Sequence, residues 1–195
     1  MIRPRLASLG VGLALGVLVA TTGAVGQSAQ QGPGTIVRWD LPQLLQGTAI
    51  AGGSDQATDA ATGDVVTLTG SGQVNLGPHP RAAGGGTFVH SRTVGHETRV
   101  VASGIYVVTG FISWRRDTGA LPLEDGIGFK EQASSGILTL NVRLMPEGGS
   151  PVDGVLEINC ELPGATFVPF EGIVLKVGSF DFRASGGVTL FHVLT

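Results

Sequence analysis

The chain has 195 residues, a formal charge of −3 at pH 7, 42% hydrophobic and 14% charged residues, 32 glycines and one cysteine. So apolar a composition excludes intrinsic disorder, and so glycine-rich a one disfavours helices and suits short strands joined by tight turns. The acidic balance gives no electrostatic footprint for nucleic acid or an anionic membrane surface, and a single thiol excludes an internal disulfide.

Residues 1–26 read as a signal peptide. Arg3 and Arg5 form a basic start, Leu6 to Ala20 is an uncharged apolar run, and Ala24-Val25-Gly26 suits signal peptidase. The strongly apolar part is roughly 15 residues, short of the about 20 that a membrane helix needs. The expected product is therefore secreted or held at the cell surface, with no stable membrane insertion after cleavage. Cleavage would leave 169 residues, and the loss of Arg3 and Arg5 takes the formal charge to −5. No cysteine lies near the cleavage site to carry a lipid. Residues 27–34 form a polar Gly/Gln-rich tail, expected to be mobile, and residues 35–195 form one all-β domain, large enough to bury a core.

Thr35 to Leu41 reads as the first strand, stopped by Pro42, and Gly52 to Gly63 reads as a loop. Val65-Val66-Thr67-Leu68-Thr69 is a second strand, which Gln73 to Leu76 continues beyond a glycine bulge at Gly70-Ser71-Gly72. Pro78 to Arg81 is a turn or edge. Gly84-Gly85-Gly86 leads into Thr87-Phe88-Val89-His90, and Gly95 turns the chain. Arg99 to Trp114 has apolar residues on both parities, as in a central strand, with bends expected at Gly104 and Gly110.

Ile137 to Leu162 carries the clearest pattern. Leu138, Leu140, Val142 and Leu144 alternate with polar residues, Gly148-Gly149-Ser150-Pro151 turns the chain, and Leu156, Ile158, Cys160 and Leu162 resume the period of two. That is a half-buried antiparallel hairpin, with Cys160 a small core residue. Glu171 to Val177, Ser179 to Arg183 (Phe180 and Phe182 on one side) and Val188 to Leu194 complete eight to nine strands. The expected fold is a single antiparallel β-barrel or β-sandwich. Between Arg115 and Gly136, 22 residues with seven charges show no strand pattern, and such loops are often functional.

Arg38-Trp39-Asp40, Thr67-Leu68-Thr69-Gly70-Ser71-Gly72, Gly84-Gly85-Gly86-Thr87-Phe88, Cys160-Glu161-Leu162-Pro163-Gly164, Phe170-Glu171-Gly172-Ile173 and Thr189-Leu190-Phe191-His192-Val193 resemble a family of exported bacterial all-β proteins. Leu121-Pro122 with Asp125-Gly126-Ile127-Gly128 does so too. The resemblance spans nearly all of the chain after residue 26. It implies secretion and an all-β domain, and no known activity, cofactor or catalytic residue comes with it.

Signatures of chemistry are sparse. His79, His90, His96 and His192 make no His-x-His or His-Glu-x-x-His, the nearest approach to a metal pair being His90 with His96-Glu97 across a turn. There is no Gly-x-Ser-x-Gly elbow, and the glycine clusters precede strands, not the helix that a phosphate cradle needs. Glu157 and Glu161 fall roughly 13 Å apart on one strand face, too far for a glycosidase pair without a third acid such as Glu171. No catalytic residue, metal or cofactor is expected. Trp39, Tyr106 and Trp114 could offer stacking surfaces, against the commoner fate of core packing. The expected ligand site is Trp114, Arg115 and Arg116 with Glu124 and Asp125. There Trp114 would supply apolar contact and the charges orientation. The reading is a secreted, non-enzymatic binding or structural module for an unknown small molecule, glycan or protein. The alternative is a carbohydrate-active or other hydrolytic enzyme using loop carboxylates.

Overall fold

The computed structural model describes residues 34–195. The signal-peptide reading and all but the end of the tail therefore lie outside the described residues. No helix among the described residues is long and apolar enough to cross a membrane.

Fourteen strands run β1 Ile36–Asp40, β2 Gln43–Leu45, β3 Thr48–Ile50, β4 Ser54–Asp59, β5 Val65–Thr69, β6 Ser71–Asn75, β7 Arg81–Val94 and β8 Glu97–Asp117. They continue with β9 Glu124–Asp125, β10 Ala133–Pro146, β11 Val152–Cys160, β12 Gly172–Val177, β13 Phe180–Gly186 and β14 Leu190–Leu194. Eleven of them form one antiparallel sheet, and β2, β3 and β9 form a small second one. The all-β expectation holds, with more strands than eight or nine. The excess comes from the β2–β3 hairpin, from the division of one long strand into β5 and β6, from β4 and from the two-residue β9.

β4 lies in what reads as the Gly52 to Gly63 loop. Its sequence, Ser-Asp-Gln-Ala-Thr-Asp, turns Asp55, Ala57 and Asp59 inward, where all three are buried. Aspartate is depleted in strands, but here the carboxylates meet local backbone donors. Asp55 accepts the Gln56 N–H at 2.6 Å, and Asp59 accepts the Thr62 N–H at 3.0 Å and the Asp181 N–H at 3.0 Å. Burial, with Glu171 nearby, pushes the Asp55 carboxyl up to about 7.

The long strands set the architecture. β7 pairs with β8 along one flank, while its other flank takes β6 at Arg81–Gly85 and β5 at Phe88–Ser91. β10 likewise pairs with β8 on one flank and with β14 and then β11 on the other. The pairings therefore return on themselves by two routes. One ring runs β4-β5-β7-β8-β10-β11-β12-β13, and the other runs β6-β1-β14-β10-β8-β7. The rings diverge at Gly70, where the chain leaves β4 and takes β1 as neighbour. Gly70 has φ +144°, and a Cβ there would lie 2.5 Å from both Gly85 O and the Tyr106 hydroxyl oxygen, so no other residue fits.

The alternating apolar residues become rungs across the first ring. Leu140, Leu156, Leu175 and Phe182 stand side by side on β10, β11, β12 and β13, each no more than 1% exposed. Val66, His90 and Ala102 form a rung on β5, β7 and β8. Two register shifts on β8, between its pairings with Thr139 and Leu140 and with Asn141 and Val142, place Thr109 and Ile112 out of step near the expected bend at Gly110. Cys160 is buried, and its thiol donates to Thr189 O at 3.4 Å.

The charged loop is shorter than its sequence implies. β8 runs on to Asp117 and β10 begins at Ala133, because Arg115, Arg116 and Asp117 stay paired with Ile137, Gly136 and Ser135. Asp117 then anchors the next layer. Its carboxylate accepts the N–H groups of Thr118 (2.7 Å), Thr166 (2.8 Å), Phe167 (2.7 Å) and Val168 (3.2 Å) and the Thr166 hydroxyl (2.6 Å). Burial works against its ionisation, but the bonds from Phe167 and Thr166 outweigh it and hold the carboxyl below the usual range. Asp117→Ala leaves several N–H groups without an acceptor and should cost roughly 2–4 kcal/mol in urea unfolding. Because the folded pKa is lowered, that advantage is complete above about pH 4 and shrinks as the pH falls, so the two proteins should converge in acid.

Candidate functional site

At one end of the first ring the inward side chains do not meet. They leave a solvent-connected cavity of about 270 Å³, a little below the roughly 300–1,000 Å³ typical of small-molecule sites. The walls come from successive ring strands: Val66 of β5, Phe88 of β7, Leu144 of β10, Leu175 and Val177 of β12, and Phe180 and Phe182 of β13. The tight β12–β13 turn brings Phe180 and Phe182 into the cavity wall, their rings stacked with centroids 5.3 Å apart. The period of two that makes β13 a strand puts both phenyl rings on the same face.

His90 and Ser179 are the two polar side chains of the lining. Ser179 is exposed on the turn, whereas His90 is held. Its ring stands edge-on to Phe180 (5.0 Å between centroids) and Phe182 (5.5 Å), and its Nε2 lies 2.7 Å from Asp64 Oδ2. Asp64, with no solvent exposure, also receives Arg92 Nε on Oδ1 at 2.8 Å and Arg92 Nη2 on Oδ2 at 2.7 Å. The Arg92 bonds hold its carboxyl down at about 2 despite burial, with His90 adding to the effect. A carboxylate accepts and does not donate, so Nε2 carries the ring proton. Nδ1 has no hydrogen bond among the described residues and, unlike the buried Nδ1 of His192, is not sealed from solvent.

The five residues expected to form a ligand site have separate partners. Trp114 is a partly buried core residue, its ring edge-on to Phe191 at 4.7 Å. The Arg115 guanidinium sits 4.3 Å above the Phe167 ring, and Arg116 Nε donates to Ser134 Oγ at 3.1 Å. Glu124 is exposed and pairs through β9 with Thr48. Asp125 points inward, accepting the Ile127 and Gly128 N–H groups at 2.9 Å each and facing His192 Nε2 at 2.7 Å. Trp39 and Tyr106 are both buried in the core, so neither offers a stacking surface.

The other sequence candidates resolve in a similar way. His90 pairs with Ala102 on the β7–β8 hairpin, well short of the turn that carries His96, so those two do not converge. No group of three or more His, Cys, Asp and Glu side chains among the described residues is arranged to hold a metal. Glu171 does lie against Glu161, as a staple for backbone: it accepts the Glu161 and Thr189 N–H groups, each at 2.5 Å, and the Thr189 hydroxyl at 2.8 Å. The sequence singles out His90 but neither Asp64 nor Arg92, which lie 26 residues before it and two after. The signals available were the identical parity of His90 and Arg92 and that of Phe180 and Phe182.

Comparison with protein-family models, with curated proteins and with solved structures found no match to the chain. The site is therefore read from its own chemistry. With its folded pKa lowered to about 2, Asp64 contributes stability above roughly pH 4 that is lost as the pH falls towards 2. In acid-dependent unfolding, Asp64→Asn should be less stable than the wild type at neutral pH and should approach it as the pH drops to about 2.

Proposed function

We propose that the protein is an exported, non-enzymatic binding module that takes a small, mainly apolar ligand in the open end of its first strand ring. The observation that carries this reading is the cavity, walled by Phe88, Phe180, Phe182, Leu144 and Leu175 and containing one oriented polar side chain, His90. A concave apolar site with few, fixed polar groups is the usual form of a small-molecule site, and the mouth of a closed strand ring is a usual place for one. Export rests on the basic and apolar leader and on the family resemblance. A binding role without turnover rests on the separation of the loop carboxylates: Asp125 points inward onto backbone N–H groups and His192, whereas Glu124 is exposed.

A thermal-shift screen of residues 27–195 tests it. The panel would hold naphthalene and cyclohexane derivatives, oligosaccharides and divalent metals. Apolar probes should raise the melting temperature, with about 2.7 kcal/mol gained at a hundred times the dissociation constant. Ala102 lines the cavity beside His90, and Ala102→Phe should fill it and remove the shift. A panel in which no apolar probe stabilises the wild type would end this reading.

A further inference from the structure

Resting on the apolar-ligand reading of this cavity, we infer that the ligand carries a neutral hydroxyl group and that His90 Nδ1 accepts its hydrogen bond. Asp64 is buried, ionised and acceptor-only, so it fixes the ring proton on Nε2. In the neutral ring the remaining lone pair is on Nδ1, at the one side chain in the lining that is both polar and oriented. Phe180 and Phe182 stand edge-on to the imidazole and restrict its rotation. An acceptor placed in apolar surroundings is costly unless a donor meets it, and a hydroxyl supplies one without bringing a charge.

The same arrangement disfavours an anionic headgroup. Arg92, the cation that shares Asp64 with His90, has both Nε and Nη2 on that carboxylate. A carboxylate entering the cavity would bring acceptors only, against the lone pair of Nδ1 and with no free cation in the lining. Alcohols and phenols fit the site, and ionised fatty acids do not.

The test uses matched probes on residues 27–195 at about pH 8, above the ordinary range of the imidazole group. 1-Naphthol, 1-methylnaphthalene and 1-naphthoate share one frame, and cyclohexanol with methylcyclohexane provides a second shape. Dissociation constants come from titration of the protein with each probe. The hydroxyl compound of a pair should bind at least about fivefold tighter than its methyl counterpart, although methyl is the more apolar group. Naphthoate should bind more weakly than either naphthalene probe. His90→Phe keeps an aromatic ring and should erase the hydroxyl preference, the hydroxyl compound of each pair then binding no tighter than its methyl counterpart. Long-range proton–nitrogen NMR of the wild type gives an answer that does not depend on the variant folding. The Nδ1 resonance should shift with naphthol or cyclohexanol and stay in place with the methyl analogues. Equal binding of hydroxyl and methyl probes, or a static Nδ1, would overturn the hydroxyl inference and leave the apolar-ligand reading standing. Failure of every probe in both shapes to bind would overturn both.

Discussion

Backbone hydrogen bonding without exposed edges is the constraint on which this fold depends. Eleven strands in one sheet would leave two edges with unpaired N–H and C=O groups, and the described residues contain no α-helix to cover them. The chain removes these edges by closing the pairings, and it closes them twice because β7 and β10 are long enough to take two successive partners on one flank. The switch on the β5–β6 strand needs a residue with no side chain at Gly70, where the backbone of β7 and the Tyr106 hydroxyl crowd the Cβ position. The cavity is a consequence of this closure: a ring has an interior, and at this end it is not filled.

Buried aspartates do the work that disulfides or caps do elsewhere. Asp59, Asp117 and Asp125 each accept backbone N–H groups from turns that lack strand partners, and Asp64 ties Arg92 and His90 to the β4–β5 turn. Each is an acidic group taken out of water and repaid with donors, which is the arrangement a low-dielectric interior tolerates. Asp55 differs. One of its oxygens is buried without a partner, and burial with Glu171 nearby raises its pKa, so it approaches neutrality instead of recruiting a cation. Structural and site-forming carboxylates thus use the same chemistry, and only their surroundings distinguish them. Asp64 faces a cavity through His90, whereas Asp117 faces backbone.

Much of the fold was legible because strand burial has a period of two. The β10–β11 hairpin, with Leu138 opposite Ile158 and Leu140 opposite Leu156, follows directly from alternation around a glycine turn. β4 was not legible, because its inward residues are two aspartates and an alanine, and no hydrophobicity pattern marks a strand whose buried face is polar. The end of β8 was hidden for the opposite reason: Arg115 and Arg116 are exposed charges on a regular strand, one over Phe167 and one on Ser134. Of the charges that made this segment look like a binding loop, Arg115, Arg116, Asp117 and Asp125 are held by local partners.

The sequence by itself determined the class of the protein. Abundant glycine, a single cysteine and two-residue periodicity leave an antiparallel β domain held by packing, with Cys160, Leu156 and Ile158 on one inner face. Tertiary structure alone decided which ends close, where the rings part and where the interior stays open. Those outcomes depend on pairings between residues far apart in the chain, such as β1 with β14 and β4 with β13, for which no local pattern carries information. The candidate site shows the same division. Phe180 and Phe182 share a face by local geometry, but their meeting with His90, and that of His90 with Asp64 across 26 residues, exists only once the ring is closed.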